Sequence, residues 1–157
     1  MIQVGDKIPT VSISTVLAGA TEAVSSDQLC AGKKVVLFAL PGAFTPTCSA
    51  SHLPGYVVNA DKIYAKGVDT IACLSVNDAF VMKAWSEVQN ADQITMVADG
   101  GAELTKALGL EMDSGSFGGI RSRRYAMIIE DGVVTALNIE QPKQFEVSSA
   151  EAILDLL

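Results

Sequence analysis

A chain of 157 residues, 49% hydrophobic and 18% charged, carries enough apolar side chain for one globular domain with its own core, and is too apolar for a disordered one. Its net charge of −7 argues against a general nucleic-acid or anionic-membrane surface, since both require basic patches. Three cysteines without a Cys-x-x-Cys pair, and a single histidine, fit neither a disulfide scaffold nor a zinc site of common spacing.

No carboxylate cluster suggests another metal, and no cofactor is expected. No apolar run approaches the roughly 20 residues that span a bilayer. The opening Met1-Ile2-Gln3-Val4-Gly5-Asp6 lacks the regions of a secretory signal. A cytoplasmic chain is therefore the default expectation, unless a transit peptide has been removed.

In chain order, Ile2 to Ala20 holds alternating stretches such as Val11-Ser12-Ile13-Ser14, which suit an edge hairpin or short strands. Ser25-Ser26-Asp27 marks a helix start and Gly32 a stop. Lys33-Lys34 reads as solvated charge before Val35 to Leu40, a β-branched apolar run closed by Pro41-Gly42. That is the pattern of a strand buried on both faces of a parallel sheet. Thr45 as N-cap and Pro46 at the first helical position then open a helix. Cys48 falls in its first turn, where unpaired N–H groups and the positive end of the helix dipole favour an anion. A cysteine so placed tends toward the thiolate, the nucleophilic form. Chemistry in open α/β sheets also gathers at the carboxyl ends of strands. Cys30 and Cys73, near a helix end and inside a strand pattern, read as packing residues.

The helix runs toward Lys66, with Gly67 as its stop and Leu53, Val57, Ala60 and Tyr64 on one face; Pro54-Gly55 should kink or break it. His52, four residues past Cys48, is either a general base or a hydrogen-bonded structural histidine. A strand over Val68 to Val76 follows. Asn77-Asp78 caps a helix through Val88 with Phe80, Val81, Ala84, Trp85 and Val88 on one face, Trp85 in the core. Ile94 to Ala98 is a strand and Glu103 to Leu108 a short helix. Glu111 to Gly119 is a loop, because Gly115, Gly118 and Gly119 deny it regular structure. Of the basic cluster Arg121, Arg123 and Arg124, the first two read as solvated charge. Arg124 to Glu130 and Val133 to Ile139 form a hairpin about a type I′ turn at Asp131-Gly132. Ser148 or Ser149 caps a last helix with Ile153, Leu154 and Leu157 as its apolar stripe. This order predicts a three-layer α/β domain with a central mixed sheet, residues 1–157 forming a single unit.

Pro41-Gly42-Ala43-Phe44-Thr45-Pro46-Thr47-Cys48-Ser49, followed by Ser51-His52-Leu53-Pro54-Gly55-Tyr56, resembles the active-site loop of the peroxiredoxins, in wording closest to the peroxiredoxin-5-like (redoxin) subfamily. Val4 to Pro9, Cys73 to Asp78 and Arg124 to Ile128 resemble later and earlier segments of the same family. The resemblance implies a thioredoxin-like fold and a thiol-dependent peroxidase that reduces hydrogen peroxide and alkyl hydroperoxides through a sulfenic acid on Cys48. It implies Arg124 as the guanidinium beside the sulfur, with Arg123 competing for that role, and Pro41 as a shield against water. Thr45 would place its hydroxyl, and Thr47 and Cys48 their amides, toward the peroxide. Threonine at the first position of Thr45-x-x-Cys48 disfavours disulfide exchange, which needs a second cysteine there.

Many peroxiredoxin-5-like proteins carry a resolving cysteine where Ser148 stands here. A one-cysteine mechanism is therefore expected, with an external thiol (glutathione with glutaredoxin, or thioredoxin) as reductant. The resemblance also implies a homodimer, for which exposed Phe44, Phe80 or Phe117 would serve. Two other classes compete: a redox sensor or chaperone-like interaction protein using Cys48, and a cysteine hydrolase, which needs a histidine oriented by an acid.

Overall fold

The structure, a computed structural model, describes residues 1–157. Its strands are β1 (Ser12–Leu17), β2 (Ala20–Ser25), β3 (Lys34–Ala39), β4 (Thr70–Ser75), β5 (Thr95–Ala98), β6 (Glu111–Asp113), β7 (Ile120–Ser122), β8 (Tyr125–Glu130) and β9 (Val133–Ile139). Seven of them form one sheet in the order β2-β1-β5-β4-β3-β8-β9. The three central strands β5, β4 and β3 are parallel, and every other pairing in the sheet is antiparallel. This follows from the residues. Strands covered on both faces must be apolar at every position, as Val35 to Ala39 and Ile71 to Leu74 are.

Helices cover both faces. α2 (Leu53–Ala65), α3 (Ala79–Val88) and α5 (Ala150–Leu154) pack with Phe38, Ile71, Cys73 and Met96 on one side. α1 (Ser26–Cys30) and α4 (Glu103–Leu108) pack with Val35, Leu37, Leu74 and Val97 on the other. The expected three-layer, thioredoxin-like arrangement is the one found. At the β8–β9 turn, Asp131 (φ 49°) and Gly132 (φ 79°) both take the positive φ that a type I′ hairpin demands.

Three local expectations fail. Residues 111–119 are not an irregular loop: β6 and β7 pair antiparallel, and Gly115 and Gly119 supply the positive-φ corners that return the chain. In α3 the buried side chains are Met82, Trp85 and Ser86, while Phe80 and Val88 face outward. Trp85 sets this rotation by seating its ring in the core and donating its indole N–H to Ser49 Oγ at 3.0 Å. Nor does Pro54 break its helix. Residues Cys48–His52 form a π-turn, in which Leu53 N–H reaches back to Cys48 O, and Pro54 then falls in the first turn of α2, where a missing N–H costs least.

Candidate active site

β3 delivers the chain to Pro41, and Arg121 grips the turn that follows. Its Nη1 donates to Pro41 O at 3.0 Å and its Nε to Gly118 O at 3.2 Å. A Cβ at Gly42 would run into this guanidinium and into Thr45 Cγ2, so the close approach requires glycine. Ala43 N donates to Asn77 Oδ1 at 3.0 Å, which ties the same loop to the end of β4. Arg121 is thus a structural clamp, not the solvated charge expected from sequence.

The helix opens at Pro46 as expected, but Thr45 caps it in another way. Its carbonyl accepts from Ser49 N at 2.9 Å, while its hydroxyl donates to Gly42 O at 2.6 Å. With that proton engaged, the hydroxyl oxygen is left as an acceptor. Thr47 and Cys48 occupy the first turn, whose amides have no carbonyl partners within the helix.

Cys48 is buried, with 1% of its surface exposed, and its Sγ accepts a hydrogen bond from Arg124 Nη2 at 3.2 Å. The other arm of the same guanidinium, Nη1, donates to His52 Nδ1 at 2.8 Å. An arginine does not surrender its proton, so Nδ1 is the acceptor and His52 carries its hydrogen on Nε2. That hydrogen is donated to Ser148 O at 3.0 Å. His52 is fully buried, with Phe38, Tyr56 and Phe145 ring centroids 5.0, 5.7 and 4.9 Å away. Burial first, and then the charge on Arg124, pushes its pKa down to about 3, against a smaller opposing pull from the Ser148 bond. A neutral imidazole with both nitrogens engaged cannot act as a general base. No carboxylate orients it, which removes the cysteine-hydrolase reading.

Ser148 is itself fixed. Its O also accepts from Tyr56 OH at 2.9 Å. Its amide and hydroxyl, with the amides of Glu146 and Val147, converge on Glu140 Oε2 at 2.7–2.9 Å. Burial would raise the Glu140 pKa, but these donors outweigh it and leave the carboxyl below its usual range. Glu140 N donates in turn to Arg124 O at 2.9 Å. A chain of contacts therefore runs Glu140, Ser148, His52, Arg124, Cys48. Sequence reasoning missed Arg121 and Glu140, and no local signal marked either.

Arg123 does not touch the sulfur; its Nη2 donates to Glu140 O at 3.4 Å. Pro41, Thr47 and Arg124 share the wall of a cavity of about 430 Å³ beside the Cys48 pocket. Cys73 lies in the same core layer as Cys48, and burial pushes its thiol well up. Cys30 lies behind the sheet, its thiol pushed up to about 11, mainly by burial.

A thioredoxin-like fold that sets one cysteine in a first helical turn under a guanidinium defines a thiol-dependent oxidoreductase. The comparisons narrow this. The Redoxin family model matches residues 3–154. A chloroplastic peroxiredoxin-2E-2 of Oryza sativa is 52% identical over 99% of this chain and 72% of its own length. A chloroplastic peroxiredoxin-2E of Arabidopsis thaliana is 49% identical over 99% of this chain and 69% of its own. The crystal structure of reduced Prx3 from Vibrio vulnificus in complex with H2O2 superposes with a TM-score of 0.96, at 62% identity over 99% of each chain. The chain belongs to the peroxiredoxins and is a thiol-dependent peroxidase. The cytoplasmic expectation is corrected here, because these plant relatives are chloroplastic proteins.

Proposed function

We propose that this peroxiredoxin is of the peroxiredoxin-5-like kind and works with one cysteine, Cys48, for which an external thiol is the reductant. The observation that carries the reading is the hydrogen bond from Arg124 Nη2 to Cys48 Sγ at 3.2 Å. The guanidinium and the helix N-terminus together hold negative charge on the sulfur. The sulfur attacks the near oxygen of the peroxide, and the O–O bond breaks. The far oxygen leaves with a proton as water or alcohol, and Cys48 becomes a sulfenic acid. Thr45 Oγ1 accepts from a peroxide O–H, the amides of Thr47 and Cys48 face the oxygen that gains charge, and Pro41 keeps water out.

Ser148, buried and bonded to Glu140, stands where a resolving cysteine is expected in many relatives of this kind. Cys30 is separated from Cys48 by the sheet. Cys48–OH is then reduced by glutathione with glutaredoxin, or by thioredoxin. The outward-facing Phe44, Phe80 and Phe117 serve a homodimer contact. Stopped-flow mixing with peroxide should consume one thiol rapidly in the wild type and not in Cys48→Ser. Intact mass after one equivalent of peroxide should show a single added oxygen. A fast phase that survives Cys48→Ser would overturn the assignment, and a stoichiometric Cys48–Cys73 or Cys48–Cys30 disulfide would overturn the one-cysteine mechanism.

A further inference from the structure

The turn that carries Cys48 is held from two sides. Cys48 itself is bonded to Arg124 at the head of β8, while the next residue, Ser49, is bonded to α3. Trp85 donates its indole N–H to Ser49 Oγ at 3.0 Å, and Gln89, just past the end of α3, donates Nε2–H to Ser49 O at 3.2 Å. On the other side of the cysteine, Asn77 before α3 accepts from Ala43 N, and the Trp85 ring centroid lies 6.4 Å from that of Phe44. One helix therefore grips the loop both before and after the sulfur.

The Gln89 bond answers a gap in the backbone. In a π-turn each carbonyl takes its donor from five residues on, and Cys48 O finds Leu53 N there. For Ser49 the residue five on is Pro54, which has no N–H to give. The Gln89 amide supplies the donor instead, from 40 residues away. Trp85 is fully buried and its indole has one hydrogen to give, so unwinding the turn would strand a buried donor. Neither side chain bonds to Cys48 Sγ or lines the cavity beside it. Their hold on the reaction centre passes through Ser49.

We infer that Trp85 and Gln89 are positioning residues, a latch on Ser49 that sets how often the Cys48 turn opens and so how Cys48–OH divides between capture and a second oxidation. The inference rests on the reading of Cys48 as the sulfur that meets peroxide, and goes beyond it. In the closed turn Cys48 is 1% exposed. Peroxide reacts there with Arg124 in place, whereas a larger molecule meets the sulfur only when the turn yields. The second oxidation has the same needs as the first. The sulfenate sulfur attacks the near oxygen of another peroxide, and the O–O bond breaks. The far oxygen leaves with a proton as water or alcohol, and Cys48 becomes a sulfinic acid. That step belongs to the closed turn. Where the closed turn predominates, weakening the latch multiplies the small open fraction and leaves the closed fraction nearly unchanged. The two fates of the sulfur then separate.

Gln89→Met keeps the reach of the side chain and loses its donor; Trp85→Phe keeps a ring in the core and loses the indole N–H. In each variant the first oxidation of Cys48 by peroxide should keep its rate constant. Labelling of Cys48–OH by dimedone, which forms a C–S bond with loss of water, should quicken about threefold to tenfold, the worth of one hydrogen bond. With dimedone present and peroxide in excess, the sulfinic product seen by mass spectrometry should fall in step. Amide exchange over residues 48–52 of the reduced protein should rise by the same factor. Met82→Val disturbs the seat of α3 in the core without touching either bond, and should change none of these. Unchanged labelling and exchange in both latch variants overturns the inference. So does an equal rise in Met82→Val, since loosened packing would then be the cause. A first oxidation slowed as much as labelling quickens overturns it too, because the bonds would then serve the reacting geometry. Wild-type protein that gains neither oxygen nor label at Cys48 would overturn the assignment of that sulfur, and the latch with it.

Discussion

Arg124 bridges two acceptors, Cys48 Sγ and His52 Nδ1, with the two arms of one planar group. A lysine would bring charge to the pocket but could not span both. Arg124→Lys should therefore slow thiol oxidation by peroxide about 10²-fold, as for a lost transition-state donor, while the unfolding midpoint moves little. Stopped-flow rates and denaturant curves on the same preparation check both halves. His52 gives a pH signature. Its folded pKa of about 3 lies below its ordinary 6.5, so between these values the unfolded chain binds a proton that the folded chain refuses. Its contribution to stability is fully present above pH 6.5 and is lost as pH falls toward 3. From pH 7 to pH 5 the loss should be about 2 kcal/mol, and His52→Gln should flatten that slope. Glu140 does not confuse the comparison, because its lowered pKa removes stability only below its ordinary value of 4.5.

The turn between β3 and the Cys48 helix depends on two glycine gaps filled by Arg121. Gly42→Ala drives a methyl into that guanidinium and should cost about 1–3 kcal/mol by overpacking. Combined with Arg121→Ala, the two losses should fall short of additive in urea unfolding, since the side chains share one site. Much of this element was legible in sequence. The apolar run of β3, the Thr45-Pro46 start and Cys48 in the first turn are all local signals, and so is the Asp131-Gly132 turn. Arg121 was not legible, because its partner Pro41 lies 80 residues away. Glu140 escaped for a different reason: its donors lie only six to eight residues on, but a glutamate in a polar stretch reads as solvated until the loop that folds over it is seen. The α3 face was misread because hydrophobicity alone ranks Phe80 and Val88 with Trp85, whereas core shape accepts only Trp85 and Met82.

Phe80 and Phe117, 86% and 82% exposed, and Phe44, 54% exposed, are large rings that the monomer leaves in water. In a chain whose sheet is covered on both faces they are not spare core. Phe80→Asp should shift the protein to monomer in sedimentation velocity if these rings meet across a homodimer, and a variant of unchanged mass would count against that contact. The compartment, by contrast, was never written in the domain: a peroxidase body of this composition belongs equally to relatives in chloroplasts.

The grip of a single Glu140 oxygen on residues 146–148 makes the tail part of the reaction centre. A protease nick or a bulky fusion that pulled Ser148 away would leave every peroxide-facing residue in the chain. It would nevertheless free the imidazole, let the guanidinium swing, and silence the sulfur from a distance.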